Sequence, residues 1–122
     1  MNRMMGKIGK GNEKATPFFK EVYRAVSQIP KGRVATYGDI SQALGVTGGA
    51  RAIGRAMATN QDVRSVPCHR VVRGDGHVGG YTYGFMKKIS LLQQEGVSID
   101  ILRRQIKDIE SVRFTQFRAK RG

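Results

Sequence analysis

The sequence predicts a small, mainly α-helical domain that contains a helix-turn-helix and a short β-hairpin. Three observations lead to this fold class. Segments with apolar residues at helical spacing follow one another along the 122 residues, separated by glycine-rich turns. Two of them are joined by the short turn Thr47-Gly48-Gly49, as in a helix-turn-helix. The alternating run Arg70-Val71-Val72-Arg73 then meets Gly74-Asp75-Gly76, a turn signal that would return the chain through His77-Val78 as a hairpin.

The first helix begins at a strong start signal. Residues 1–15 interleave glycines with lysines, show no apolar period, and are expected to form a flexible basic arm. Thr16 then suits the N-cap position and Pro17 the first helical position. Pro30-Lys31-Gly32 is expected to end the helix. One face carries apolar residues at helical spacing and should be buried: Phe18, Val22, Tyr23, Val26 and Ile29.

The helix-turn-helix opens with a capping box. Thr36 and Asp39 have the spacing of this motif, which predicts a helix from Tyr37 to about Leu44. Gly45 is expected to stop it. The residues expected to point inward are Ile40, Ala43 and Leu44.

The second helix of the pair, residues 50–58, has an unusual composition. Its exposed positions are alanine, glycine and arginine, so its backbone could approach a nucleic-acid groove closely while Arg51 or Arg55 projects. The same small residues would also permit tight packing between helices, and the local pattern leaves both interpretations open.

The last third of the chain contains two further helical patterns. Residues 79–84 form a loop rich in glycine and tyrosine, suited to walling a pocket for a flat ligand such as a base, or simply to anchoring a loop. A helix is predicted from Phe85 to Gln94, with apolar residues on one face. Another is predicted from Ser98 to about Ile109. The apolar stripe of this last helix consists of Ile99, Leu102, Ile106 and Ile109.

The charge predicts a polyanionic partner. The chain has 22 basic and 9 acidic residues, a formal net charge of +13 and a pI near 10.6. The surplus is spread as +3, +6 and +4 over residues 1–17, 18–97 and 98–122, so it is not confined to a tail. Nucleic acid is the favoured partner. A membrane is not expected, because the sequence has neither a spanning apolar run nor a signal-peptide pattern.

The only cysteine, Cys68, lies in the run Val66-Pro67-Cys68-His69-Arg70. A thiol reacts as the thiolate, and an ordinary thiol with a pKa of about 8.5 is mostly protonated at neutral pH. His69 can accept its proton and the nearby arginines favour the anion, whereas Pro67 suits a rigid turn. The alternative is that Cys68 is a small buried apolar residue. One cysteine forms no internal disulfide, which fits a reducing compartment, the cytoplasm or, in a eukaryote, the nucleus.

Two other kinds of site fit the residues poorly. Adjacent Cys68 and His69 rarely face each other as the nucleophile and base of a hydrolase. One cysteine and two histidines without a recurring ligand spacing make a poor zinc pattern, and His77 is better explained by a turn or a phosphate contact. No metal and no cofactor are therefore expected.

Several blocks of the chain resemble the C-terminal catalytic domain of the O6-alkylguanine-DNA alkyltransferases in order and spacing. The resemblance runs from Pro17 to Val97, about two thirds of the chain, and Pro67-Cys68-His69-Arg70-Val71 is its most specific block. The other blocks are Lys31-Gly32-Arg33-Val34, Thr36-Tyr37-Gly38, Ala50-Arg51-Ala52-Ile53-Gly54, Asn60, Gly79-Gly80-Tyr81, Leu91-Leu92 and Glu95-Gly96.

The resemblance implies repair of DNA by direct damage reversal. Cys68 would take the alkyl group from O6-alkylguanine, and also from O4-alkylthymine, in one irreversible, stoichiometric transfer. His69 would deprotonate the thiol through a water molecule, Glu95 would orient the imidazole, and Asn60 would order the turn around Cys68. The partner would be double-stranded DNA that contains the lesion, and the protein would act as a monomer.

The resemblance also implies how the lesion is reached. The fold would be a winged helix-turn-helix variant whose second helix enters the minor groove and flips the damaged nucleotide out of the duplex. Arg51 would fill the vacated stack and Tyr37 would press on the adjoining phosphate. The same helix would also contact DNA through Ala50, Gly54 and Arg55. The guanine pocket would be lined by Tyr81, Thr82 and Val71.

Two features depart from the family pattern. Only some 16 residues precede the first helix where the family carries a further domain, so the chain is expected to be a one-domain version or a fragment. Residues 16–97 would form the DNA-binding and catalytic domain, and residues 98–122 a basic, partly helical extension that covers core surface. The rival functions are a lesion sensor that does not transfer the alkyl group, against which Cys68 argues, and a plain winged-helix DNA-binding protein.

Overall fold

A computed structural model describes residue 12 and residues 15–118 of the chain; the rest of the predicted basic arm lies outside the described residues. The described residues are mainly helical, which confirms the predicted class. The helices are α1 (Pro17–Val26), α2 (Tyr37–Ala43), α3 (Ala50–Thr59), α4 (Phe85–Gln94), α5 (Ile109–Val112) and the 3-10 helix Cys68–Arg70. The strands are β1 (Ala35–Thr36), β2 (Val71–Val72), β3 (Ile99–Asp100) and β4 (Gln105–Ile106).

Helix α1 begins as predicted and ends early. The Thr16 Oγ1 atom accepts a hydrogen bond from the Phe19 N–H group at 3.1 Å, and Pro17 occupies the first turn. The helix stops at Val26, because the following residues form tighter turns in which Ile29 N–H donates to the Val26 carbonyl at 3.0 Å. Ile29 precedes Pro30, which disfavours a helical conformation at that residue. It is nevertheless buried, as predicted.

The helix-turn-helix is confirmed with its capping box. Thr36 Oγ1 accepts from Asp39 N–H, and an Asp39 carboxylate oxygen accepts from Thr36 N–H, both at 3.0 Å. Gly45, with φ at +69°, ends the first helix in the left-handed region that favours glycine. The prediction that Ala43 points inward was wrong, since it is exposed. The Asp39 carboxylate also pairs with Arg113 at 2.8 Å.

The predicted hairpin at residues 70–78 was wrong in its pairing. The turn exists, because Arg73 N–H donates to the His77 carbonyl at 2.9 Å. However, β2 pairs in parallel with β1, and Val78 N–H donates to the Arg104 carbonyl instead. Val71 and Val72 are both fully buried, and a strand buried on both faces suits a parallel pair in the core better than an exposed hairpin arm.

The hairpin lies instead where a helix was predicted after Ser98. Strands β3 and β4 pair antiparallel, with Ile99 opposite Ile106, and both side chains are buried. Leu102, predicted on the same stripe, lies in the turn and is 95% exposed. Ile99 and Ile106 thus matched a helical period by coincidence, because this hairpin also brings residues seven apart to one face, whereas Ile109 begins α5.

The β1–β2 pair divides the core in two. Ala35 and Val71 belong to a cluster formed mainly with α1, α2 and α3, whereas Val34 and Val72 belong to one formed with α4 and the β3–β4 hairpin. This alternation follows from the two faces of a strand. The 3-10 helix that carries Cys68 leads directly into β2, and Cys68 belongs to the first cluster.

The segment after the hairpin returns to the start of β1. The Val112 carbonyl accepts from Val34 N–H at 2.8 Å, and Phe114 N–H donates to the Val34 carbonyl at 2.7 Å. Phe114 and Phe117 stack edge to face and pack against the first cluster. The extension therefore contacts both halves of the core.

Candidate active site

Cys68 is held by its own turn and by the end of α3. Its N–H donates to the Val66 carbonyl at 2.8 Å, and Arg70 N–H donates to the Pro67 carbonyl at 2.9 Å. Asn60, which follows the last residue of α3, donates from Nδ2 to the Val66 carbonyl at 2.9 Å and to Cys68 Sγ at 3.4 Å. The amide of Asn60 thus fixes the turn and also supplies a hydrogen bond to the sulfur.

The surroundings of Cys68 keep the thiol protonated at rest. The side chain is almost fully buried, and burial raises its pKa because it disfavours the thiolate. The Asn60 hydrogen bond and the charge of Lys88 act in the opposite direction without cancelling the effect. A thiolate at Cys68 would therefore form only with the help of a base.

His69 is positioned by Glu95. Its Nε2 atom lies 3.0 Å from Glu95 Oε2, and since a carboxylate only accepts, Nε2 carries the hydrogen and Nδ1 is left as the acceptor of the neutral ring. Arg70 grips the same carboxylate at 3.0 and 2.7 Å and also donates to the Ile29 carbonyl at 2.8 Å. Burial lowers the pKa of His69 more than the Glu95 carboxylate raises it, so the ring is neutral at pH 7.

A cavity of about 270 Å³ opens onto Cys68. This volume is at the small end of the range for ligand pockets. Tyr81 on its wall stacks edge to face with Tyr83 at 5.6 Å between ring centroids. The lining residues are Tyr37, Gly54, Met57, Ala58, Cys68, Gly80, Tyr81 and Thr82.

The cavity brings together residues that the sequence placed in separate motifs. Tyr37 from α2, Gly54 from α3 and the Tyr81-Thr82 loop all reach it beside Cys68. Val71, predicted in the base pocket, is fully buried in the first core cluster and is not among the lining residues.

The exposed face of α3 borders this cavity. Arg51 and Arg55 are one turn apart and exposed, as is Ala50 at the start of the helix. A Cβ atom placed on Gly54 would meet no other atom within 4 Å, so the helix surface is open at this point. The exposed side of α3 thus consists of small residues and two arginines, which is one of the two interpretations that the composition of the helix left open.

Lys88 lies near the site although it was not among the predicted site residues. This side chain is fully buried, and its Nζ donates to the carbonyls of Val71 at 2.7 Å and Gly80 at 3.0 Å. Burial lowers its pKa to about 8. A signal existed, because residue 88 shares a helix face with Phe85, Ile89 and Leu92.

His77 is a turn residue in this structure. Its N–H donates to an Asp75 carboxylate oxygen at 3.0 Å, and its Nδ1 accepts from Gly79 N–H at 2.9 Å.

In residue 12 and residues 15–118, no group of three or more His, Cys, Asp or Glu side chains is arranged to hold a metal ion. No helix in that part of the chain has the length and apolar content of a membrane span.

The fold and the site together define a helix-turn-helix domain that carries a buried cysteine beside a small cavity. Residues 17–97 match a known family, described as the 6-O-methylguanine DNA methyltransferase, DNA binding domain. This match covers more than half of the chain, and the protein therefore belongs to that family.

Known relatives support this assignment. A methylated-DNA–protein-cysteine methyltransferase of Shigella flexneri is 43% identical over 81 residues, which are 66% of this chain and 47% of the relative. A crystal structure of O6-methylguanine-DNA methyltransferase from Pyrococcus kodakaraensis has a TM-score of 0.64 and 45% identity, and the match covers 70% of this chain and 50% of that one. The chain spans about half the length, or less, of the curated relatives it matches.

Another similar structure covers almost the whole of a shorter protein. Atl1 of S. pombe, solved in complex with damaged DNA containing O6-carboxymethylguanine, has a TM-score of 0.70 and 31% identity. The match covers 80% of this chain and 94% of Atl1.

Proposed function

We propose that this chain is the catalytic domain of a DNA repair protein that transfers an alkyl group from O6-alkylguanine, or O4-alkylthymine, in double-stranded DNA to Cys68. The observation that carries the proposal is the position of Cys68 Sγ on a small cavity that is also lined by Tyr37, Tyr81 and Thr82. A cavity of this size suits a single flipped base, and the net charge of +13 suits a nucleic acid.

Access to the base would come from α3. The open surface at Gly54 would let the helix backbone approach a groove, and the exposed Arg51 would occupy the space that a flipped nucleotide leaves. Extrusion costs a few kcal/mol and costs less for a poorly paired base, which favours a lesion over normal guanine. Binding through phosphates needs no sequence preference, so the repair would be general.

In the transfer step, the Cys68 proton passes through a water molecule to His69 Nδ1, and the imidazolium is stabilised by Glu95. The sulfur lone pair forms a bond to the alkyl carbon while the bond between that carbon and O6 breaks. The electron pair goes to the guanine, which leaves as an anion whose O6 accepts a hydrogen bond from Tyr37 or Thr82. The anion then takes a proton from water at N1, and the imidazolium of His69 returns its proton to water. Burial raises the pKa of Tyr37, so its hydroxyl group stays protonated and can donate the hydrogen bond to O6.

The product is a thioether, which has no easy route back to the thiol. Each molecule would therefore repair one lesion and be consumed, acting as a monomer and without a cofactor. The compartment would be the one that holds the DNA, the cytoplasm or a nucleus.

The test is to incubate the protein with a duplex that carries one O6-methylguanine and to analyse the peptide containing Cys68 by mass spectrometry. We expect one methyl group per molecule, absent from Cys68→Ala and absent with unmodified duplex. The similarity to Atl1 over nearly its whole length makes lesion binding without transfer the second candidate. Tight binding to the lesion with an unmodified Cys68 would favour that candidate.

A further inference from the structure

Asn12 is joined to Cys68 by a short series of hydrogen bonds. Its Nδ2 donates to Asn60 Oδ1 at 2.8 Å, and its Oδ1 accepts from Gln61 N–H at 3.0 Å. Asn60 in turn donates to Cys68 Sγ. Asn12 precedes α1 and lies outside residues 17–97, the segment that matches the family.

Backbone groups determine the orientation of both amides in this series. Gln61 N–H can only donate, so it must face the oxygen of Asn12, and the NH₂ group of Asn12 must then face Asn60. Asp62 N–H donates to the same Asn60 oxygen at 3.0 Å. The NH₂ group of Asn60 is therefore directed at Val66 and Cys68.

A reversed Asn60 amide would oppose the formation of a thiolate. Its oxygen would lie against the Val66 carbonyl and Cys68 Sγ, and its NH₂ group would face the donors of Asn12 and Asp62. Asn60 is only 3% exposed, so water cannot compensate these contacts. The orientation of one buried amide thus decides whether Cys68 receives a hydrogen-bond donor or an acceptor.

We infer that Asn12 is a positioning residue for the reactive thiol: it holds the Asn60 amide in the orientation that directs a donor at Cys68 Sγ. This role rests on the proposed function only in that Cys68 is the acceptor, because the effect on the thiol itself needs no DNA. A residue outside the family segment would then tune the nucleophile of the site.

The experiment measures the rate at which Cys68, the only cysteine, reacts with iodoacetamide between pH 6 and pH 10, in the full chain and without DNA. Asn12→Asp preserves size but replaces the donor with an acceptor, which favours the reversed Asn60 amide. We expect a higher thiol pKa and a rate at pH 7 that is lower by about tenfold, the effect of one pKa unit. Asn12→Ala removes one donor but leaves Asp62 N–H, so we expect a decrease of only about threefold.

Gln61→Glu is the matched control, since it places a carboxylate on the adjacent exposed residue without touching the Asn60 amide. We expect it to leave the rate within about twofold. If Asn12→Asp and Gln61→Glu changed the rate equally, the added negative charge alone would explain the effect and the inference would be wrong. The inference would also be wrong if the rate of Asn12→Asp had the same pH dependence as that of the wild type. If Asn12→Asp does not fold, Asn12→Ala decides: an unchanged rate rejects the role, and a lower rate with an unchanged melting temperature supports it.

The outcome is separate from that of the proposed function. Failure of methyl transfer from DNA in the wild-type protein, together with a shifted profile in Asn12→Asp, would reject the proposed function and leave the positioning role intact. Normal methyl transfer in the wild-type protein, together with an unshifted profile in Asn12→Asp, would support the proposed function and reject the positioning role of Asn12.

Discussion

Cys68 combines burial with a small number of directed hydrogen bonds. Burial raises the pKa of the thiol and protects it from unwanted reaction, while the Asn60 amide and the Lys88 charge favour the anion. A thiolate formed in such a cavity is shielded from bulk water. Because it lacks a full hydration shell, it is a strong nucleophile for an alkyl carbon. The proposed transfer would therefore depend on proton transfer to His69 and not on a permanently ionised sulfur.

Glu95 supplies the negative charge that holds His69 and Arg70. The pKa of Glu95 is lowered: burial would raise it, but the hydrogen bonds from Arg70 and His69 outweigh that effect. A carboxyl whose folded pKa lies below its unfolded value of about 4.3 stabilises the protein above that pH and loses the contribution as the pH falls through the folded pKa.

We therefore expect Glu95→Gln to lower the free energy of unfolding at pH 7 by about 3 kcal/mol, because it leaves Arg70 without its partner. The deficit relative to the wild type should shrink as the pH falls below the unfolded value and through the lower folded pKa of Glu95. Urea unfolding from pH 7 to pH 3 measures this difference. A deficit that stays constant over that range would show that the charge of Glu95 is not the stabilising feature.

Lys88 offers a matched comparison with its neighbour in α4. Lys88→Met should cost about 1–3 kcal/mol of unfolding free energy, because the carbonyls of Val71 and Gly80 lose a charged donor. Lys87→Met, at an exposed position, should change it by no more than about 0.5 kcal/mol. The measurement is urea unfolding at pH 7, and equal effects of the two substitutions would contradict the assigned contacts.

At the scale of elements, α2 connects the cavity to the C-terminal extension. Tyr37 lines the cavity and follows Thr36, which caps the helix through Asp39. Arg113 holds the Asp39 carboxylate through two hydrogen bonds at 3.0 and 2.8 Å. The extension thereby supports the helix that carries a residue of the candidate site.

The β3–β4 hairpin lies where the sequence predicted a helix, and two substitutions distinguish these structures. Ile106→Ala should lower the free energy of unfolding by about 2–5 kcal/mol, because the side chain is buried in the second cluster. Leu102→Ala should change it by no more than about 0.5 kcal/mol, since Leu102 is 95% exposed. Thermal and urea unfolding test both. A large loss for Leu102→Ala would instead support the helical stripe that the sequence suggested.

At the scale of the whole molecule, the protein carries a large positive charge. The surplus of +13 is distributed along the sequence, and the exposed arginines of α3 border the cavity. A lysine or arginine that neutralises a phosphate releases a counterion from the duplex, so association with duplex DNA should depend steeply on salt.

We expect the logarithm of the DNA association constant to fall linearly with the logarithm of the salt concentration, with a slope of about −0.9 per phosphate contacted. Arg51→Ala should weaken binding. If Arg51 contacts a phosphate, the slope should also become shallower by about one. Arg24→Ala on α1, where Arg24 pairs with Glu21, serves as the control and should leave the slope unchanged. Fluorescence anisotropy between 50 and 300 mM salt gives these slopes, and a salt-independent affinity would exclude phosphate binding as its source.

Local features could be predicted from the sequence because their physics is local. The Thr16 cap, the capping box of Thr36 and Asp39, and the bounds of α4 depend on residues three or four apart. The short block around Cys68 carried the resemblance to the family, and residues 17–97 match that family. Contacts such as that between His69 and Glu95 followed only from the resemblance, since they join residues 26 positions apart.

Tertiary structure alone decided the parallel pairing of β1 with β2, the hairpin after Ser98 and the burial of Lys88. Each depends on what lies opposite in space: a strand buried on both faces takes a parallel partner, and a lysine enters the core only where two carbonyls meet its ammonium group. The sequence by itself therefore determined where helices α1 to α4 lie, the Thr16 and Thr36 caps and, through the resemblance to the family, several of the residues around Cys68. Only the folded chain determined the strand pairing and the burial of Lys88 beside the site, because these depend on segments that are far apart in the sequence and whose proximity no local pattern encodes.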